Sequence, residues 1–233
     1  IAIIYSILPY HFYRGQDHLN LSGYYFVPLA ILIAYSIFEK TGTEEAFHFK
    51  INQVKKIYPI YIYSIFLGLQ VTYYIFFTLI FLMVAAFIMQ FGFKRRESFK
   101  LILSVISVII FVMFLSMIPS LIYQMLNGSI DILGRTEKDF NYNCLKIIQI
   151  FTPVAGHKIA LFNKINSILV NSLALPQNFE DITGGIGIFG SVSFIASLLF
   201  IFIRTKLTEK NQFLILLSFV NVFLVLISTY GGM

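Results

Sequence analysis

The chain has 233 residues, 58% hydrophobic and only 12% charged, with 26 phenylalanines, no tryptophan, a mean hydropathy of +0.82 and a net charge of +6. This composition excludes an ordinary soluble domain, and the positive charge, which would suggest nucleic acid in a soluble protein, is better explained by lysines and arginines flanking membrane spans. The runs are apolar all round, which fits transmembrane helices rather than a barrel, and the single cysteine, Cys144, rules out an internal disulfide framework or a cysteine-based metal site.

Residues 1–8 (IAIIYSIL) read as the end of a span already under way, so the chain is expected to be a fragment of a longer protein. A polar loop over residues 9–23 follows, carrying His11, Arg14, Asp17 and His18 between two apolar runs. On a helix, Arg14 would share a face with His11, Asp17 and His18, although Gly15 weakens a helix there. One reading is an anionic-ligand site, with the guanidinium gripping a phosphate and the histidines donating or carrying protons. The other is an interfacial polar belt in which Arg14 pairs with Asp17. A metal site is disfavoured, because His11 and His18 stand seven apart, at no known ligand spacing.

The first complete span is expected at Leu21–Phe38. The run Ile57–Phe91 is too long for one crossing of a core of about 30 Å and short for two full ones. Gly68, Gln70 and Thr72 weaken its middle, which predicts a broken pair, Ile57–Leu69 and Tyr73–Phe91, joined by a tight turn. Three more spans are expected at Leu101–Tyr123, Ile186–Ile203 and Phe213–Tyr230.

Charge supports the pair. With it, loops 39–56, 93–100 and 204–212 share one face and hold eleven of the lysines and arginines, among them Lys55, Lys56, Lys94, Arg95, Arg96 and Lys210. Short loops dominate the positive-inside rule, so that face is read as cytoplasmic. The loop at 9–23 and the long segment 124–185 then fall on the extracytoplasmic face. Within that segment, Tyr142–Phe151 has the spacing of an amphipathic helix lying in the interface, ended by Pro153.

The outer segment also contains Gly156-His157-Lys158. A histidine on a glycine turn, followed by a lysine, suits a phosphate or carboxylate, and equally suits a loop touching lipid headgroups. Asp131, Glu137, Asp139, Glu180 and Asp181 are candidate bases that no spacing singles out. Gly185, Gly187 and Gly190 match GxGxxG, but they open a hydrophobic span instead of following a strand, so helix packing is the better reading. The triplets Asn20-Leu21-Ser22 and Asn127-Gly128-Ser129 matter only where glycosylation machinery is present.

Several blocks together carry a resemblance: Pro9 to Phe12, Arg14-Gly15 with His18-Leu19, Tyr24-Tyr25 with Pro28-Leu29, and Pro153 with Gly156 and His157. In these the chain is similar to prokaryotic membrane proteins of the GT-C glycosyltransferase type, the polyprenyl-phosphate-sugar-dependent class related to protein mannosyltransferases and aminoarabinose transferases. The resemblance implies sugar transfer on the extracytoplasmic face of a prokaryotic cytoplasmic membrane. It further implies a catalytic acid upstream of Ile1, and phosphate or acceptor contacts from Arg14, His18, His157 and Lys158; Asp17 is grouped with these as a candidate substrate-binding residue.

The expected architecture is an all-α polytopic transmembrane bundle with a small extracytoplasmic subdomain. Residues 1–123 hold membrane helices, 124–185 the outer segment and 186–233 two further membrane helices. The expected partners are the lipid bilayer and a polyprenyl-phosphate-linked sugar, with no nucleic acid, metal or cofactor. The alternatives are a transporter or flippase for lipid-linked saccharides, which the near absence of charge and of internal repeats disfavours, and a non-catalytic membrane subunit.

Overall fold

The computed structural model describes residues 26–40, 51–128, 147–153, 156–172, 187–202 and 209–229. Every regular element among them is helical. The α-helices are α1 (Val27–Lys40), α2 (Ile51–Gly68), α3 (Thr72–Phe87), α4 (Arg96–Asn127), α5 (Ala160–Ser172), α6 (Gly187–Phe202) and α7 (Glu209–Thr229). A π-helical turn, Ile88–Gly92, extends α3, and Ile147–Ile150 forms a 3-10 turn. The chain forms two compact units. Of the described elements, the first unit holds α1–α4 and α7 as far as Val220; the second holds the 3-10 turn, α5, α6 and the rest of α7.

The run from Ile57 to Phe91 is broken where its sequence is weakest. Helix α2 ends at Gly68, residues 69–71 turn, and α3 begins at Thr72. The first helix of the pair differs from expectation at its start, which lies at Ile51 rather than Ile57, so Lys55 and Lys56 fall inside it. At 1.5 Å per residue α2 is about 27 Å long. Helix α4 encloses the expected span Leu101–Tyr123, and α6 and α7 fall close to the last two expected spans. Of the first expected span, residues 26–38 are described, and α1 covers 27–38.

Side-chain contacts give the directions of the helices in the first unit. The Tyr61 hydroxyl on α2 meets Ser104 Oγ on α4 at 2.8 Å. One heptad further along α2, Gly68 sits against Ile109 and Val112 of α4. Advancing along α2 therefore advances along α4, and the two run parallel, while α3 returns against α4 through the link at Phe93–Arg95. A Cβ built on Gly68 would lie 2.7 Å from Val112 Cβ and 2.9 Å from the Ile109 carbonyl oxygen. Only a residue without a side chain allows the two backbones this approach, and Ser64, one turn earlier and fully buried, extends the small-residue seam. The Ser64 hydroxyl is satisfied by donating to the Ile60 carbonyl at 2.7 Å.

Apolar stripes at helical spacing fill the core of this unit. They are Ala30, Ile33, Ala34, Ile37 and Phe38 on α1; Ile75, Leu82, Ala85 and Met89 on α3 and its π turn; and Leu101, Ile102, Val105 and Ile109 on α4. Beyond Phe114 the remaining residues of α4 are almost all exposed, including Leu121, Ile122, Met125 and Leu126.

Arg95 closes one end of the unit. Its Nη1 donates to the Phe38 carbonyl in the last turn of α1 at 2.8 Å, and its Nη2 donates to Gln212 Oε1 on α7 at 2.9 Å. The guanidinium carbon also lies 3.9 Å above the Phe38 ring. Around it, Phe38 contacts Phe93 and Phe213 at ring-centroid separations of 6.0 Å and 5.7 Å, and Tyr35 meets Phe213 edge-on at 4.9 Å. A cation at a helix C-terminus satisfies a leftover carbonyl and complements the helix dipole. The preceding residue, Lys94, is left-handed with φ 56°, where a side chain costs about 1–2 kcal/mol.

Replacing Gly68 by Ala is expected to destabilise the protein by about 1–3 kcal/mol through overpacking of the α2–α4 seam. Gly92→Ala, where a Cβ would meet only Ile88 Cγ2 at 3.5 Å, serves as a near-neutral control. Thermal unfolding followed by helical circular dichroism compares them; equal melting temperatures would contradict the close approach.

Candidate functional site

Of the residues the sequence singles out, His11, Arg14, Asp17 and His18 lie outside the described residues, as do Cys144, the five candidate loop carboxylates and Gly185. The structure describes His157 and Lys158, in the turn that leads into α5 of the second unit.

That turn is held by side chains bonding to backbone. Asn166, buried on α5, donates from Nδ2 to the Pro153 carbonyl at 2.6 Å. Asn163, one turn earlier on the same helix, accepts the Gly156 N–H on Oδ1 at 3.0 Å. Gly156 has φ 71°, the left-handed conformation that favours glycine. Upstream, Ser191 of α6 donates to the Ile150 carbonyl at 2.8 Å, and Phe151 faces Phe194 at 6.2 Å. The segment before α5 is thereby tied to two helices of its own unit.

His157 is fixed by this frame. Its Nδ1 accepts the backbone N–H of Ile159 at 3.1 Å, and its ring meets Phe162 edge-on at 5.0 Å. In the neutral ring, an Nδ1 that accepts leaves the proton on Nε2, so the imidazole presents a donor. The ring is half-buried, and the neighbouring Lys158 is exposed. The turn thus offers one oriented N–H and one exposed ammonium, a pair suited to an anionic oxygen such as that of a phosphate or carboxylate.

Two sequence expectations change here. The interfacial helix expected at Tyr142–Phe151 is, in its described part, a single 3-10 turn at Ile147–Ile150, closed by the Thr152 hydroxyl donating to the Ile148 carbonyl at 2.8 Å. Pro153 disfavours helical backbone at Thr152, so the turn cannot propagate. The amphipathic helix of this region is instead α5, with Leu161 and Ile168 exposed and Asn166 buried. Its signal was the spacing of Leu161, Phe162, Ile165, Ile168 and Leu169, obscured by three asparagines that are poor helix formers. Asn163 and Asn166, which shape the turn, belong to no motif and their roles emerge only from the fold. Gly187 and Gly190 lie in the first turn of α6, and no strand precedes them among the described residues.

No family model, curated protein or solved structure matches this chain.

Asn166→Ala is expected to leave the Pro153 carbonyl without its partner and to loosen the turn by about 1–3 kcal/mol. Hydrogen exchange measured by mass spectrometry should show faster exchange at Gly156 and Ile159 with α4 unchanged. Unaltered protection of the turn would contradict its dependence on Asn166.

Proposed function

We propose that the chain is a multi-pass protein of a prokaryotic cytoplasmic membrane and belongs to a GT-C-type glycosyltransferase, which moves a sugar from a polyprenyl-phosphate donor to an envelope acceptor on the extracytoplasmic face. Two helices support the membrane reading by length and composition, Thr72–Gly92 and Arg96–Asn127. Their most apolar windows are only 39% and 22% buried within the protein, whereas the core helix of a soluble protein is mostly buried. Exposed apolar surface on this scale needs a non-aqueous neighbour.

The observation that carries the proposed site is the oriented imidazole of His157 beside the exposed ammonium of Lys158. In this reading an acceptor hydroxyl attacks the sugar carbon and gives its proton to a carboxylate base, the bond from that carbon to the phosphate oxygen breaks, and polyprenyl phosphate departs. His157, Lys158, Arg14, Asp17 and His18 make up the proposed binding element, in which the cationic and N–H groups hold the phosphate as its charge grows. The frame around Gly156 keeps the histidine in place before the donor arrives, so less ordering accompanies binding.

His157→Ala and Arg14→Ala are each expected to lower transfer of a radiolabelled sugar from polyprenyl phosphate in isolated membranes by roughly 10²-fold, the scale for losing a donor to developing charge. Lys164→Ala, an exposed cation on α5, should leave the rate unchanged. Transfer unaffected by the His157 and Arg14 changes together would overturn the assignment.

A further inference from the structure

The basic end of the first unit carries two cations that pair with nothing among the described residues. Arg95 is spent on Phe38 and Gln212, and Lys100 pairs with Glu97 at 2.8 Å. Lys94 and Arg96 are exposed, and neither pairs with an acid among the described residues. Lys94 also occupies a position whose backbone calls for glycine. The Phe93 N–H bonds the Ile88 carbonyl at 3.1 Å and the Arg95 N–H bonds the Met89 carbonyl at 2.8 Å, which holds Lys94 left-handed at φ 56°. A lysine kept where glycine would be relaxed suggests that its side chain has a role.

The surface leading to these cations is apolar. Met83, Phe87 and Phe91 follow one another at successive turns of α3 and its π extension, each at least 60% exposed, and the tilted Phe87 and Phe91 rings lie 4.6 Å apart between centroids. Phe76 continues the same face toward the start of α3. From Met83 to Phe91 the stripe is about 12 Å long, within the roughly 15 Å depth of one leaflet. An exposed apolar stripe followed within five residues by two cations that have no partner among the described residues is the complement of an amphiphile with an anionic head. A soluble polyanion would use the cations and leave the stripe bare.

We propose that this edge of the first unit binds an anionic phospholipid, with the headgroup phosphate against Lys94 and Arg96 and an acyl chain along Phe91, Phe87 and Met83. The proposal rests on the membrane reading above but not on the sugar-transfer chemistry. The site is separate from His157 in sequence and in composition, and it selects for charge in the headgroup. Basic residues at a membrane surface each favour anionic lipid by an amount that corresponds to roughly fivefold in partition.

The absence of tryptophan makes the test direct. Phe91→Trp places a single fluorophore at the head of the stripe, and the whole chain is reconstituted into vesicles containing brominated phosphatidylglycerol or brominated phosphatidylcholine with the same acyl chains. Quenching is expected to show a preference for phosphatidylglycerol of at least tenfold. Lys94→Gly, which suits the backbone better than lysine and so preserves the fold, should lower that preference roughly fivefold, and adding Arg96→Gln should bring it near unity. Excess inorganic phosphate should leave the preference unchanged. Equal quenching by the two lipids, a preference that survives both substitutions, or displacement by free phosphate would each overturn the proposal. Failure of the chain to insert into either vesicle would instead overturn the membrane reading on which it rests.

Discussion

The first unit depends on one guanidinium. Arg95 lies in the link between α3 and α4, yet its two donors reach the last turn of α1 and the beginning of α7, segments that stand 57 and 117 residues away in sequence. Few side chains could do this. A guanidinium is planar, stays charged, offers donors in a fixed fork and stacks on an aromatic face, whereas a lysine ammonium would hold one carbonyl and leave Gln212 or the Phe38 ring without its partner. Because the group is half-buried among Phe38, Phe93 and Phe213, its hydrogen bonds are less diluted by water than those of a surface arginine. The C-terminus of α1, the end of α3 and the beginnings of α4 and α7 are gathered by this residue.

A different requirement, close approach of two backbones, operates along the α2–α4 seam. There Gly68 and Ser64 bring two parallel helices together, and Tyr61 ties them with a hydroxyl pair to Ser104. Val112, which faces Gly68, lies about 24 Å along α4 from its first residue. The turn at 69–71 is therefore most of a bilayer's apolar thickness away from Arg95. A basic end fixed by an arginine, a shaft packed through small residues and an outer surface left apolar are what a helical protein needs when lipid, not water, covers its sides. The second unit works differently. Its frame is made of asparagines bonded to a turn, and it immobilises a histidine.

The helices were legible because their signals are strong and local. Runs such as Thr72–Phe87 and Leu101–Tyr123 are apolar over many turns, and the break between α2 and α3 falls where Gly68, Gln70 and Thr72 interrupt the run. The start of α2 was not legible, since Asn52, Gln53, Lys55 and Lys56 read as loop on hydropathy although nothing in their backbone preferences forbids a helix. Helix α5 was missed for a related reason: its asparagines are unfavourable locally and are retained because they bond to the turn before them. Arg95 was counted only as one positive charge among eleven, because sequence order does not reveal that α1 and α7 come to meet it. At the candidate site, the glycine-turned histidine was readable from its neighbours, whereas the tautomer of His157 depends on the Ile159 N–H and could be assigned only from geometry.

The central proposal is that the end gathered by Arg95 and the turn at 69–71 lie on opposite sides of a membrane crossed by α3. The most direct measurement is cysteine accessibility in intact cells, using Gln70→Cys and Lys94→Cys each on a Cys144→Ser background. A membrane-impermeant maleimide should label position 70 from outside and should reach position 94 only after the membrane is opened. Labelling of both positions from the same side would contradict the account.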